Sequence, residues 1–222
     1  MMEDGAPELP AAAARRPFTA LRQFARRAAE SVEERCDLCG ERIGQQHRHL
    51  LDIRSRQLLC ACRACTLLFD QAAAGVGARR LVPTRYLSIG AFQLGDAEWD
   101  SLQVPVNMAF FTANSVLGRV QAFYPSPAGP TESLLGLDTW EEMRRRNPIL
   151  GEMAPDVEAL LVNRLRGARE HYLVPIDECY RLVGLIRLGW RGLGGGREVW
   201  QEIEQFFAGV KERAVPVEVP HA

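Results

Sequence analysis

Lysine is almost absent from this chain of 222 residues: Lys211 stands against 26 arginines. With the many alanines, this reads as a compositional habit of the source genome, so single arginines carry little functional weight. Net charge is nearly absent too, at −1, which excludes a global field drawing the protein to nucleic acid. No apolar run approaches the roughly 18 residues of a membrane span. The opening MMEDGAPELPAAAARRPF lacks the basic start and long apolar stretch of a secretory signal, so a cytoplasmic location is expected. Catalytic signatures are also missing: there is no G-x-S-x-G, H-E-x-x-H or phosphate-loop motif. The four histidines are His47, His49, His171 and His221, and no Ser/His/Asp set can be nominated from them. An enzyme is therefore not the expected reading.

What is present lies between Cys36 and Cys65. Cys36 and Cys39 form one C-x-x-C, Cys62 and Cys65 a second, with twenty-two residues between the inner cysteines. A C-x-x-C turn aims two sulfurs at one ion, and two such turns supply a tetrahedral site. Gly40 follows the first pair, where a knuckle turn calls for positive φ. His49–Ile53 and Gln57–Cys60 read as two strands joined by Arg54-Ser55-Arg56. The pattern is knuckle, hairpin, knuckle: a zinc ribbon. Cys60, His47 and His49 are alternative ligands, since Cys60 lies two residues before Cys62 and either histidine can offer nitrogen. Zinc is the expected metal and iron the alternative, because four thiolates suit both. A closed four-sulfur site leaves no position for water, which disfavours metal hydrolysis.

The rest reads as an α+β fold, with an N-terminal helix and the four-cysteine module followed by a small mixed sheet packed with C-terminal helices. Residues 1–16 read as a disordered tail and 17–35 as an amphipathic helix with an arginine-rich first half. The ribbon occupies 36–70, the α+β domain 78–213, and 214–222 a second tail. Leu67 to Phe69 read as the start of a short helix. Arg80–Ile89 reads as a strand broken at Pro83, Asp96–Leu102 as a helical turn, and Val104–Ala113 and Val116–Tyr124 as a hairpin about Asn114-Ser115. YPSPAGPTES (124–133) reads as a stiff irregular loop. Such loops carry binding sites, which makes Pro125, Pro127, Gly129, Thr131 and Glu132 candidate partner-binding residues. Helices are expected after Asp138, from Pro155-Asp156 through Leu165, after Asp177, and over Glu198–Glu212, with a short strand at His171–Pro175. Cys179 reads as core, and Gly194-Gly195-Gly196 as a turn open to close approach by another segment.

The strings CDLCG, HRHLLD, LLCACRAC, YPSPAGPTES, PDVEALLVNR, VPIDECYRLVGLIR and WRGLGGGREVW together resemble an uncharacterised bacterial family encoded beside nickel–iron hydrogenase subunit genes. The resemblance covers roughly residues 31 to 213. It implies a non-enzymatic accessory whose four cysteines hold zinc or iron, with a hydrogenase subunit or maturation factor as protein partner. Alternatives are a rubredoxin-like electron carrier and, further off, a nucleic-acid-binding ribbon or a His-metal nuclease using His47, His49 and Asp52. No membrane span is expected, and nucleic acid is not the expected partner.

Overall fold

A computed structural model describes residues 33–69, 78–133 and 137–217. The tail over 1–16 and nearly all of the helix expected over 17–35 lie outside the described residues. Among the described residues, no helix is long and apolar enough to cross a membrane.

Two sheets organise the described residues. The first is the ribbon. β1 (Arg48–Asp52) pairs antiparallel with β2 (Gln57–Ala61), and β3 (Arg79–Leu81) adds to the other side of β1. The expected hairpin forms: Asp52 accepts from the backbone N–H groups of Arg54 and Ser55 at 3.1 and 3.0 Å, capping the turn. A one-turn helix, α1 (Arg63–Thr66), follows β2 and carries Cys65. It starts earlier than the helix expected from Leu67, because Cys62 caps it and Leu67 already ends it.

The second sheet has seven strands in the order β10-β4-β9-β8-β5-β6-β7. They are β4 (Leu87–Ile89), β5 (Met108–Asn114), β6 (Arg119–Ser126), β7 (Gly129–Ser133), β8 (Glu158–Asn163), β9 (Glu170–Pro175) and β10 (Val215–Val217). The sheet is thus larger than expected, and both faces are covered. Phe110, Leu161, Tyr172 and Val174 face one core with α4 (Ile176–Gly189) and α5 (Arg197–Arg213), where Cys179, Leu182, Ile186, Val199, Ile203 and Val210 are buried. Phe111, Leu160, Val162 and Leu173 face a second core with Trp99 of α2 (Asp96–Ser101) and Trp140 and Met143 of α3 (Leu137–Arg146). Leu51 and Val82 join the first core, so the ribbon docks on the side of α4 and α5.

Several expectations are met. The helical turn at Asp96, the strand at His171–Pro175, the final helix and the buried Cys179 all appear, and the β5–β6 hairpin forms with its turn at Ser115–Gly118 rather than Asn114-Ser115, Asn114 pairing with Arg119. Gly195, at φ +81, lies so close to Trp190 that a Cβ would sit 2.9 Å from the ring.

Others are corrected. Pro155 to Leu165 is no helix: Glu158–Asn163 is β8, buried along its whole length. A strand covered on both faces loses the alternation that identifies strands and reads as a continuous apolar run. The prolines of 124–133 do not make an irregular loop but a hairpin, with Pro125 opposite Pro130. β5 pairs with β6 only as far as Phe123, so Pro125 interrupts no ladder shared with β5, and its partner Pro130 sits on the edge strand, where proline is tolerated. The run 80–89 divides into β3 and β4, which belong to different sheets. Val215–Val217, expected in a tail, pair in parallel with β4.

Two buried carboxylates lock these parts together. Asp156 is fully buried at φ +70, a conformation Asp tolerates better than most residues. It receives Arg56 from the β1–β2 turn at 3.2 Å and Arg80 of β3 at 3.1 Å, which ties the ribbon sheet to the large one. Glu158, 1% exposed, accepts both arms of Arg85 at 2.5 and 2.8 Å and the Ala154 N–H at 2.8 Å. Removing one member of such a pair leaves a charge buried without its counterion. Arg85 is itself 41% exposed, so Arg85→Met is expected to destabilise the protein by about 1–3 kcal/mol in urea denaturation. Adding Glu158→Gln should recover part of that loss, and an additive double mutant would refute the coupling.

Candidate metal centre

The first knuckle is built by backbone geometry. Gly40 donates its N–H to the Cys36 carbonyl at 2.8 Å and adopts φ +76, the left-handed conformation that glycine reaches without strain. Cys36 N–H in turn donates to Glu41 O at 2.8 Å, and Arg35 bridges Arg42. The second knuckle is the start of α1. Cys62 occupies the cap position, its sulfur accepting the Cys65 N–H at 3.4 Å. Asp37 staples the two together: its N–H donates to Cys60 O at 2.9 Å, and its carboxylate accepts the Cys60 N–H at 2.6 Å.

The outcome is one group of four sulfurs. Those of Cys36, Cys39, Cys62 and Cys65 all lie within 4.8 Å of one another, close enough to hold a metal ion. Cys39 and Cys62 are 3.7 Å apart. A tetrahedron with metal–sulfur bonds of about 2.3 Å has an edge of about 3.8 Å, so this separation fits a shared ion. Cys36 and Cys62 are buried, Cys65 is half-buried and Cys39 faces solvent.

Electrostatics point the same way. Burial pushes the Cys36 thiol up, but backbone N–H groups of Cys62, Leu38 and Cys39 outweigh it and bring it down to about 6. The neighbouring Cys39 and Cys62 sulfurs push Cys65 up to about 12. One thiolate forms readily and suppresses the next, because negative sulfurs at this spacing repel. A cation at the centre removes that conflict, since coordination deprotonates thiols outright.

The alternative ligands do not join these four. His47, His49 and Cys60 form a separate group whose ligand atoms lie within 4.8 Å of one another. Asp52 is not part of it, being engaged with the hairpin turn, so the His47/His49/Asp52 set of a His-metal nuclease is not assembled. His171 is buried and stacked on Phe92 at 4.5 Å; desolvation, aided by Arg164 and Arg169, lowers it to about 4. Pro125, Pro127, Gly129, Thr131 and Glu132 lie on or between β6 and β7. Thr131 meets Ser126 at 3.1 Å, and Glu132 accepts from Arg119 and Gln121 at 2.9 and 3.0 Å. Their polar groups are therefore engaged within the hairpin. Sequence reading missed Asp177, whose carboxylate lies 2.8 Å from His49 Nδ1 across 128 positions. The only local signal was an acid opening a helix.

Thiols must lose protons to ligate, so metal should be released as pH falls and retained as it rises. Cys62→Ser should weaken binding by more than the roughly 10–100-fold lost with an outer partner of a ligand. Stripping the ion should abolish hydrogen-exchange protection in Cys36–Thr66 while β5, β8 and β9 stay protected. Unchanged protection in the ribbon after stripping would refute a structural ion.

A search of the curated proteins and of the solved structures found no match. A family model does match, over residues 35–214, a span that takes in the ribbon, both C-terminal helices and the large sheet apart from its edge strand β10. The chain belongs to DUF5947, a family of unknown function.

Proposed function

We propose that this protein is a non-enzymatic, zinc-binding accessory that docks on a nickel–iron hydrogenase or assists its assembly. The observation that carries the metal half of this reading is the closed set of four sulfurs within 4.8 Å. Four thiolates saturate a tetrahedral ion and leave it no position for substrate, so the ion holds a surface together. The surface itself supports docking. Leu67 and Leu68, 66% and 67% exposed, follow the second knuckle directly, and exposed apolar side chains beside a rigid turn suit a protein partner. The resemblance of CDLCG, LLCACRAC and the later strings to proteins encoded beside hydrogenase subunit genes supplies the partner class.

A second reading, a rubredoxin-like electron carrier, is favoured by one feature: Cys39 brings a sulfur of the group to the surface, where an electron can pass to a partner. Colour separates the two. Ferric iron in four thiolates absorbs visible light and zinc does not, so the zinc reading expects colourless protein with a tightly held zinc. Capture of the full chain from its own cells should bring down a hydrogenase subunit or maturation factor, identified by mass spectrometry, and Leu67→Ser/Leu68→Ser should lose it. Coloured, iron-loaded protein would overturn the zinc reading, and capture that never contains hydrogenase components would overturn the partner.

A further inference from the structure

We propose that His47, His49 and Cys60 form a second metal site, distinct from the four-cysteine group, with three protein ligands among the described residues. This inference does not rest on the hydrogenase reading.

Strand register places the ligands. His49 and Cys60 are direct partners in the β1–β2 ladder, so their side chains share a face of the hairpin. His47 lies two positions before His49, the period that returns a side chain to the same face. Their ligand atoms converge within 4.8 Å, and the imidazole rings meet edge to face at 4.8 Å.

The second observation is how each ring is held. His49 Nδ1 lies 2.8 Å from Asp177 Oδ2, and His47 Nδ1 lies 2.8 Å from the Gly44 carbonyl. Carboxylates and carbonyls accept, so Nδ1 carries the proton in both rings and Nε2 is the nitrogen with a lone pair for a metal. Metal-ligating histidines are oriented in this way, one nitrogen donating to a carboxylate or backbone carbonyl while the other binds the ion. Asp177 is itself fixed, its other oxygen accepting the Glu178 N–H at 2.9 Å. Asp177 is a positioning residue, acting through His49.

The donor set selects the metal class. Two imidazoles and one thiolate suit zinc and its neighbours among the late first-row transition metals, and not magnesium or calcium. Three ligands leave a tetrahedral ion one position for water or for a donor from outside, as in exchangeable and catalytic sites. One of the three, His47, lines a surface cleft of about 490 Å³ together with Arg42, Gly44, Arg63 and Cys62 of the four-sulfur group. The two sites differ in their ligands, four sulfurs in one and two imidazoles with one thiolate in the other.

Titration of metal-free full-length protein with zinc alone should show two equivalents per chain, the second held more weakly. Cobalt(II) as probe should give a second absorption increment with a single-thiolate charge-transfer band, separate from that of the four-thiolate site. His47→Gln, His49→Gln and Cys60→Ser should each abolish the second equivalent and leave the first. Asp177→Ala should weaken it by about 10–100-fold. Circular dichroism checks that each variant is folded; His47→Gln, which lies outside the strand ladder, keeps the test open if Cys60→Ser is not. A single equivalent in the wild type, or a second one that survives His47→Gln and Cys60→Ser unchanged, would overturn the proposal.

Discussion

Four sulfurs held within 4.8 Å cannot all be thiolates without a cation among them. The Cys36 thiol is drawn down to about 6 while Cys65 is pushed up to about 12, which is like-charge conflict written into one cluster. An ion turns that conflict into cohesion. The ribbon's own apolar content is slight: Leu50, Leu51 and Ala61 are its fully buried strand residues. Modules of this size rarely hold together on a hydrophobic core alone, and metal coordination supplies the missing constraint.

The ribbon is nevertheless not an independent bead. Leu51 and Val82 enter the core beneath α4 and α5. Arg56 and Arg80 converge on the buried Asp156, and His49 meets Asp177 at the first turn of α4. Ordering the cysteines therefore also orders the face that contacts the larger sheet. The four-cysteine group is thereby joined to a surface formed by several elements.

The larger sheet anchors that surface through the ion pairs at Asp156. Its central strands are buried on both faces, and their polar ends are satisfied. Asn114 donates to Gln121 at 2.7 Å, Thr112 donates to Glu158 O at 3.1 Å, and Asn163 donates to Glu170 at 2.8 Å. Pro130 occupies the β7 edge, where a residue without an N–H discourages pairing with another chain.

What the sequence determined by itself was local. The two C-x-x-C pairs, Gly40 and the hairpin between them imply the ribbon, because knuckles and tight turns are set by neighbours a few residues apart. The amphipathic final helix and the buried Cys179 were legible for the same reason: a helix displays its burial as a period. Tertiary structure decided the rest. β8 read as a helix because burial on both faces erased its alternation, and the prolines of 124–133 hid a hairpin because only pairing shows that Pro125 escapes the ladder shared with β5. β10 became a strand only because β4 was beside it. The role of Asp177 required the fold to bring it to His49 across 128 positions, and His47, His49 and Cys60 separated from the four sulfurs only once strand register gave each side chain a face. Chain neighbours set turns and periods, whereas long-range pairing sets which of two chemically plausible ligand groups a side chain joins.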